Sequence, residues 1–309
     1  MRTLDVLVQV ADSGLHPRVR ASVPEAERLL ALRDELEWAV TTAVSDMDFA
    51  RAFAAAQPQS GQPAEAYLNR WLEATDDLEV LVGPRYRARD PQRPFVTLDA
   101  ASRLVTPGDM SALAAATGEA FLAFEPGYLS LWSCDPAGSW TGTESDTRNL
   151  AGRLGCLGEN PVPAELSAER ATDLHFYERY AQVHCEQVAR DPGHALRTRT
   201  ETREDLTELL SAGTLFNVLV SGQWAGLLAA EPGVQHGLRG AVVIELLLDL
   251  SVRGRGYGKH LSTLLAKHLG MPDDQFVLGT IHVDNTPAYR SAIASGRHDV
   301  GGEVIVPLT

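Results

Sequence analysis

The sequence predicts a mixed α/β (α+β) fold in which a mostly antiparallel sheet is flanked by helices. Two observations lead to this class. The composition, with 44% hydrophobic and 22% charged residues among 309, is that of a globular protein and excludes disordered and fibrous classes. In the second half, the predicted order is α-α-β-β-β-α-β-α-β, and a strand–helix–strand step within a mostly antiparallel series is typical of mixed α/β domains. The length suggests two domains.

The charge and the cysteine content exclude several kinds of partner and site. Lys and Arg number 27 and Asp and Glu number 41, so the net charge is −14. Nucleic acids and anionic membranes require basic surfaces, so we expect neither as a partner. We find no run of about 18 apolar residues and no signal peptide at the N-terminus. Three cysteines without a C-x-x-C pair predict no metal site and favour a cytoplasmic location.

Hydrophobic spacing predicts the elements of the first half in order. Alternating apolar and polar residues predict a strand at Leu4–Val10. Helical spacing or a high alanine content predicts the helices Pro24–Val44, Phe49–Ala56, Ala64–Ala74 and Asp109–Phe121. Short apolar runs predict the strands Leu78–Val82, Phe95–Leu98 and Tyr128–Trp132. Cys134–Asp146 has little periodicity, so no element is predicted there.

The signals of the second half are stronger. Helical spacing predicts the amphipathic helices Ser167–Arg190 and Thr202–Leu210, the second capped by Thr202. Thr214–Val220 and Gln223–Ala229 flank Ser221-Gly222, which predicts a hairpin. The remaining predicted elements are the strands Ala241–Leu250, Phe276–Val283 and Val304–Pro307 and the helices Gly256–Leu269 and Thr286–Ser295.

A linker is predicted between the two halves. Asn160-Pro161-Val162-Pro163 repeats the X-Pro pattern, which resists both helix and strand. We therefore expect one domain over residues 1–160 and a second over residues 165–309.

The segment Leu248–Lys259 carries the motif with a chemical rationale. An apolar strand leads into a turn with Gly254, Gly256 and Gly258, and the turn opens a helix. Glycines allow sharp turns and close approach of a ligand to the backbone. The first amides of a helix lack internal partners, and the helix dipole adds partial positive charge there. Arg253 and other basic residues add full charge, so the segment is expected to bind a pyrophosphate.

The spacing R-x-x-G-x-G of Arg253, Gly256 and Gly258 resembles the phosphate loop of the Gcn5-related N-acetyltransferase (GNAT) family. The resemblance covers about Ser167 to Thr309. It implies a GNAT-like fold and acetyl-CoA (coenzyme A) as cosubstrate, without a metal. The cofactor-binding residues that it implies are Leu248, Leu250, Arg253, Gly254, Arg255, Gly256, Tyr257, Gly258, Lys259 and Asn285.

A later family motif, N-x-x-A-x-x-x-Y-x-x-x-G-F, is matched only in part. Asn285, Ala288 and Gly296 stand at the expected spacing, but Ala292 replaces the tyrosine and Arg297 replaces the aromatic residue. In many relatives that tyrosine protonates the leaving thiolate, and Ala292 has no group to do so. A thiolate can also leave without a dedicated acid, because the pKa of a thiol is only about 8.5.

Three residues are candidates for proton transfer. Glu245 lies in an apolar strand, where burial would raise its pKa and make it a base for an ammonium substrate. The alternative is a structural partner for an arginine. His282 ends a strand where open α/β sheets place functional groups, and Tyr289 lies one helical turn before Ala292. Both also fit structural roles. Tyr177, Tyr180 and His184 share helical spacing. The resemblance implies that this region lines the acceptor site, and the alternative, which we prefer here, is a core stripe.

The first half has no convincing chemical motif, although its predicted element order resembles the acetyltransferase order. The counterpart of the phosphate loop falls near Leu104–Met110, where Asp109 would repel a pyrophosphate. We hypothesise a degenerate, tandem acetyltransferase-like domain; the alternative is an unrelated cap domain. A parallel strand pair with a split is the feature that this hypothesis requires.

The resemblance thus implies an acyltransferase, here an N-acetyltransferase that moves an acetyl group from acetyl-CoA to a primary amine by direct attack. A small-molecule amine or a basic peptide is the expected acceptor, and a monomer or a homodimer the expected assembly. Two alternatives stay open: a non-catalytic acyl-CoA sensor or scaffold, and an acyltransferase that uses a carrier-protein thioester.

Overall fold

The computed structural model describes residues 3–57, 61–198 and 200–308, with the backbone alone for Arg89, Leu196 and Arg197. Internal contacts divide the chain into two compact units. The first unit runs to Arg148 and also includes Val234–Leu238 and the residues from Val300 onward. The second unit comprises Asn149–Gly233 and Arg239–Asp299. The division into functional domains over 1–160 and 165–309 stays a prediction.

Both units contain helices and strands. The α-helices are α1 (Leu4–Ser13), α2 (Pro17–Ser22), α3 (Glu25–Val40), α4 (Thr42–Ser45), α5 (Met47–Ala56), α6 (Met110–Ala120), α7 (Leu154–Gly158), α8 (Tyr177–Arg190), α9 (His194–Arg197), α10 (Arg203–Ala212), α11 (Leu261–His268) and α12 (Thr286–Ala294). The strands are β1 (Arg70–Thr75), β2 (Leu78–Tyr86), β3 (Pro94–Ala101), β4 (Tyr128–Ser133), β5 (Glu144–Arg153), β6 (Leu166–Arg170), β7 (Leu215–Val220), β8 (Gln223–Gln235), β9 (Leu238–Leu248), β10 (Phe276–His282) and β11 (His298–Pro307).

The first unit is built on strands in the order β1-β2-β3-β4-β11. The pairs β1–β2, β2–β3 and β4–β11 are antiparallel. The pair β3–β4 is parallel, with Val96 opposite Leu129 and Thr97 opposite Ser130. Parallel neighbours need a crossover connection, and α6 lies in the chain between these two strands. The core around Tyr67 is apolar and buried.

The second unit has the strand order β5-β10-β9-β8-β7-β6. The pairs β6–β7 and β7–β8 are antiparallel, and β9–β10 is parallel. Alternate side chains of the strands supply two cores. On one face Tyr180 and Val183 of α8 pack with Leu206 and Leu209 of α10. On the other face α7 and α11 contribute buried leucines. Both faces of the sheet are therefore covered by helices.

The predicted fold class is confirmed, since mostly antiparallel strands are flanked by helices in each unit. The predicted hairpin is confirmed by β7 and β8, with Ser221 and Gly222 at positive φ in the turn. Thr202 caps α10 as predicted, and Asp205 completes a reciprocal capping box. No helix of the described residues is both long and apolar enough to cross a bilayer.

The strand predicted at Leu4–Val10 is wrong, because this segment begins helix α1. Leu4, Leu7 and Val8 also stand at helical spacing, and Leu7 and Val8 are buried. Alternation over seven residues does not distinguish the two patterns. A buried ion pair between Asp12 of α1 and Arg28 of α3 then holds the two helices together.

The helix predicted at Ala64–Ala74 is also wrong beyond its first turn. A 3-10 helix ends at Tyr67, and strand β1 begins at Arg70. Between them Asn69 is buried. Its backbone amide donates to the carbonyl of Ala43, and its side-chain amide donates to the carboxylate of Asp99. These tertiary bonds outweigh helix propensity, which is a weak preference.

The helix predicted at Ser167–Arg190 starts too early. Leu166 and Ala168 are buried while Ser167 is exposed, and this alternation belongs to strand β6, which pairs with β7. Helix α8 begins only at Tyr177. Strand β5 was not predicted, because few of its residues are apolar. The helix predicted from Gly256 begins as a 3-10 turn and becomes α-helical at Leu261.

Gly240 is required where β9 meets β10. A Cβ at this position would collide with the backbone of Phe276, so Gly240→Ala is expected to lower the free energy of unfolding by about 2 kcal/mol or more. Urea unfolding of the full chain measures this loss. Gly158→Ala in α7 is the control, because a Cβ there meets nothing within 4 Å. Equal stability of the two variants would contradict this account of β9–β10 pairing.

Candidate functional site

The site is built on the point where β9 and β10 stop pairing. The parallel register joins Gly240, Ala241 and Val242 to Phe276–Leu278. Farther along the two strands, Val243–Leu248 of β9 and Gly279–His282 of β10 line a cavity of about 630 Å³. Cavities of about 300–1,000 Å³ are typical of small-molecule sites. The divergence of two parallel strands therefore opens a ligand-sized pocket within the second unit.

The glycine-rich loop lies at the end of β9, as the sequence predicts. Gly254 and Gly256 have φ values of 78° and 82°, a conformation that side chains disfavour. Gly258 has a different reason: a Cβ there would lie 2.8 Å from the Ser291 hydroxyl of α12. Tyr257 is buried, and its hydroxyl donates to Glu165 over 3.2 Å. These requirements hold the loop against α12 at the mouth of the pocket.

The basic residues of the loop point in different directions. Arg253 donates from Nε to the Leu248 carbonyl over 2.8 Å. The Gln187 amide of α8, turned with its oxygen toward Arg253, accepts a second bond. Burial lowers the pKa of Arg253. Arg255 and Lys259 are exposed and do not line the pocket. The loop therefore offers one half-buried guanidinium inside the pocket and two cations outside it.

Asp249 fixes the start of this loop. Its carboxylate accepts from the Ser251 amide over 2.9 Å and from the Ser251 hydroxyl over 2.7 Å. Arg179 of α8 makes a two-point ion pair with it at 2.6 and 3.0 Å. This ion pair lowers the pKa of Asp249 to about 2. Asp249 thus caps the turn, and the ion pair also attaches the loop to α8.

The other predicted cofactor residues are placed as follows. Leu248 and Asn285 line the pocket, whereas Leu250 does not. Asn285 also caps α12, since its side-chain oxygen accepts from the Ala288 amide over 3.3 Å. Ala292 lines the pocket, so a methyl group stands where the family motif has its tyrosine.

Glu245 is the buried carboxylate of the pocket, with 8% of its surface exposed. Tyr180 of α8 donates its hydroxyl to Oε2 over 3.0 Å, and Nε2 of His184 lies 3.2 Å from the same oxygen. The Leu246 amide donates to Oε1 over 3.1 Å. Glu245 thus faces the pocket, which the alternation of β9 alone did not establish, and its partners hold it in one orientation.

His282 and Tyr289 occupy different places from Glu245. His282 lines the pocket, and its Nδ1 accepts from the Asp284 amide over 3.1 Å. Tyr289 donates its hydroxyl to Asp299 over 3.0 Å and is not among the described residues of the pocket lining. The catalytic roles of both stay predictions, with only His282 near the pocket.

The interpretation of Tyr180 and His184 as a core stripe missed their polar function. Both are buried, at 0% and 3% exposure, but their polar atoms meet Glu245. The desolvation of Tyr180 and the nearby carboxylate raise its pKa, so the hydroxyl stays a donor. The spacing within α8 gave no signal for this role, because Glu245 lies more than sixty residues farther along the chain.

The first unit also has a loop that leads into a helix, but a carboxylate of the chain lies at this helix start. Thr106 and Asp109 form a capping box at the start of α6. Arg103 makes a two-point ion pair with Asp109, at 2.9 and 2.8 Å, which lowers the pKa of that carboxyl. The carboxylate of Asp109 therefore already supplies the anion at this helix start. The expectation that Asp109 opposes phosphate binding stays a prediction. The strands β3 and β4 pair in parallel, and the degenerate-copy hypothesis, which also requires a split between them, stays a prediction.

No family model matches the chain, and no curated protein matches it in sequence. Among solved structures, the chain is similar to a GCN5-related N-acetyltransferase from Kribbella flavida, with 15% identity and a TM-score of 0.46 over 85% of this chain and 96% of that chain. It is similar to another from Sphaerobacter thermophilus, with 13% identity and a TM-score of 0.45 over 86% and 93%. A tandem GNAT protein from the clavulanic acid biosynthesis pathway has 15% identity and a TM-score of 0.40 over 75% and 78%. At these values the likenesses assign no activity to the chain.

Asp249→Asn tests the ion pair that holds the loop. Because the pKa of Asp249 is lowered from 3.8 to about 2, its stabilisation is fully present above the ordinary pKa and is lost as the pH falls through 3.8 toward 2. We expect the variant to lower the free energy of unfolding by about 1–2 kcal/mol at pH 7, a value reduced by the partial exposure of Arg179. Urea unfolding of both proteins at pH 7 and at pH 3 measures the difference in the free energy of unfolding, which should be smaller at pH 3.

The control is Glu178→Gln. Glu178 lies on α8, as Arg179 does, and the change removes its exposed ion pair with Arg203 of α10. Its expected effect is below about 0.5 kcal/mol at either pH. An Asp249→Asn effect that is independent of pH would show that the ion pair is not the source of the stabilisation.

Proposed function

We propose that the second unit is an acyl-CoA-dependent N-acyltransferase. The observation that carries this proposal is the pocket between β9 and β10, with the glycine-rich loop at its mouth and the carboxylate of Glu245 in its wall. The resemblance of Arg253, Gly256, Gly258 and Asn285 to the GNAT motifs supports it. Acetyl-CoA is the donor that the resemblance implies, a small amine or basic peptide is the acceptor, and the cytoplasm is the location.

The chain's residues fit the parts of a coenzyme A thioester. The exposed cations Arg255 and Lys259 flank a helix start, where anions are favoured, and would hold the pyrophosphate. The diverging edge of β9 offers backbone groups to a pantetheine amide. Two of these groups already have partners, because the Leu248 carbonyl accepts from Arg253 and the Leu246 amide donates to Glu245. The thioester supplies an activated acyl carbon within this pocket.

Glu245 would remove the proton that the acceptor amine must lose. An ammonium substrate has no lone pair, so deprotonation precedes attack on the acyl carbon. Tyr180 and His184 fix the position of the carboxylate through Oε2 and leave Oε1 with one bond, from Leu246. As the amine nitrogen bonds to the carbonyl carbon, the carbon–sulfur bond breaks, and the nitrogen gives its second proton to the departing thiolate, so that the products are the amide and the free thiol. Ala292 has no group that could protonate the sulfur, so no acid acts on the leaving thiolate from position 292.

The cofactor site is tested with the double variant Arg255→Ala/Lys259→Ala. Charged hydrogen bonds to phosphate contribute about 1.5–3 kcal/mol each, so the dissociation constant for coenzyme A should rise at least about tenfold. Calorimetric titration of coenzyme A into the full chain measures it. The control Lys267→Ala/Arg290→Ala removes the same charge from exposed positions of the second unit that do not line the pocket. No binding by the wild-type protein would contradict the proposal.

The base is tested with Glu245→Gln, which keeps the shape of the side chain but accepts no proton. We expect kcat with an alkylamine acceptor to fall about 10²–10³-fold, while the affinity for coenzyme A is unchanged. With an arylamine acceptor, which is already neutral at pH 7, the loss should be tenfold or less. Steady-state kinetics with both acceptors provide the measurement.

The control for the base is His175→Gln, an exposed histidine close to α8. It should leave both rates unchanged. Equal losses by Glu245→Gln on both classes of amine would show that Glu245 does not act as the base. Tight coenzyme A binding without turnover of any amine would favour the sensor alternative.

A further inference from the structure

Arg297 is a buried guanidinium at the side of the pocket, with 2% of its surface exposed. Its Nη2 donates to the Leu150 carbonyl over 2.7 Å and to the Gly279 carbonyl over 3.2 Å, and Nε also faces Leu150, at 3.3 Å. These bonds connect it to β5 and β10. The backbone around it is shaped for this side chain, because a Cβ at Gly279 would collide with Nη2 and one at Gly152 would press on Cγ.

The charge of Arg297 has no carboxylate partner among the described residues. Burial lowers its pKa to about 10, which leaves it charged at neutral pH. A buried charge costs several kcal/mol unless it is paired, and carbonyl dipoles offset only part of that cost. Nη1 donates no hydrogen bond to a described protein atom, although a guanidinium has five donors. The fold thus maintains an unpaired cation with free donors at the pocket.

The location of Arg297 within the pocket is informative. It lines the cavity and bonds to Gly279, which directly follows Leu278, the last residue of β10 in register with β9. The guanidinium therefore lies at the closed end of the gap, opposite the glycine-rich loop at the end of β9. The small residues Gly279 and Ala292 also belong to the lining, and the missing side chain of Gly279 is what allows Nη2 to lie there.

We infer that Arg297 binds a carboxylate carried by the acyl group of the donor, so that the preferred donor is the thioester of a short dicarboxylic acid. The inference rests on the proposed function. A thioester held at the loop by its pyrophosphate extends along β9 toward the closed end, where the acyl group meets Arg297. A guanidinium binds a carboxylate through two parallel hydrogen bonds, and Nη1 is available for this purpose.

The carboxylate could also be supplied by an amino-acid acceptor, which presents the same chemistry. The two sources predict different results. A donor carboxylate changes the affinity for the thioester without an acceptor present, whereas an acceptor carboxylate changes the KM of an amino acid relative to its amide. The depth of Arg297 at the closed end favours the donor, because the acceptor approaches the thioester from the side of Glu245.

Calorimetric titration of the wild-type full chain tests the inference directly. Malonyl-CoA and succinyl-CoA are compared with butyryl-CoA and valeryl-CoA, uncharged thioesters of similar size, and with coenzyme A itself. We expect the charged thioesters to bind at least tenfold more tightly than the uncharged ones. Equal affinities would overturn the inference while leaving the proposed function intact, since coenzyme A would still bind. If none of the ligands binds, both fail.

Arg297→Lys and Arg297→Gln assign the preference to this residue. Both should bind coenzyme A as the wild type does but lose the preference for charged thioesters, the lysine variant in part and the glutamine variant fully. The matched control is Arg290→Gln, a change of an exposed arginine of α12. It should keep the preference for charged thioesters. A preference that survives both changes, or one that appears only for amino-acid acceptors over their amides, would overturn the assignment. If a variant does not fold, the wild-type comparison still decides whether a carboxylate is bound.

Discussion

The end of pairing between β9 and β10 is the constraint on which the second unit depends. Up to Val242 and Leu278 the two strands satisfy one another's backbone groups. Beyond this point the backbone of β9 must find other partners, because unpaired buried amides and carbonyls are costly. The chain supplies two: the Glu245 carboxylate accepts from the Leu246 amide, and Arg253 donates to the Leu248 carbonyl. Both side chains are thereby held in the gap that they help to keep open, where they can also meet a ligand.

Ala292 and Arg297 are directly connected, because the Arg297 backbone amide donates to the Ala292 carbonyl over 3.1 Å. A side chain at position 279 would collide with the Arg297 guanidinium. Arg297 also explains the glycine at position 152, because a Cβ there would press against the Arg297 side chain. Three small residues on three elements, Gly152, Gly279 and Ala292, thus contact Arg297. Their small size makes room for one buried guanidinium.

The sequence predicted the elements around the pocket better than those elsewhere. The glycines of the loop and the hairpin at Ser221 are set by local backbone chemistry, which can be predicted from neighbouring residues. The short strand β6 and the turn at Asn69 depend on partners far along the chain, so their local patterns misled. The same limit hid the roles of Tyr180 and His184. Which face of β9 carries Glu245 is decided by packing with α8, and no spacing rule within either element contains that information.

The first unit shows how a similar arrangement behaves when its anion is part of the chain. The parallel strands β3 and β4 are connected through α6, as β9 and β10 are connected through α11. At the start of α6 the carboxylate of Asp109, paired with Arg103, satisfies the amide of Thr106 over 2.8 Å. At the corresponding place in the second unit, Gly256 and Gly258 provide no side chain, so the positive end of the helix keeps its attraction for an external anion. The carboxylate of Asp109 thus completes the turn of the first unit from within the chain, whereas Gly256 and Gly258 supply no such group.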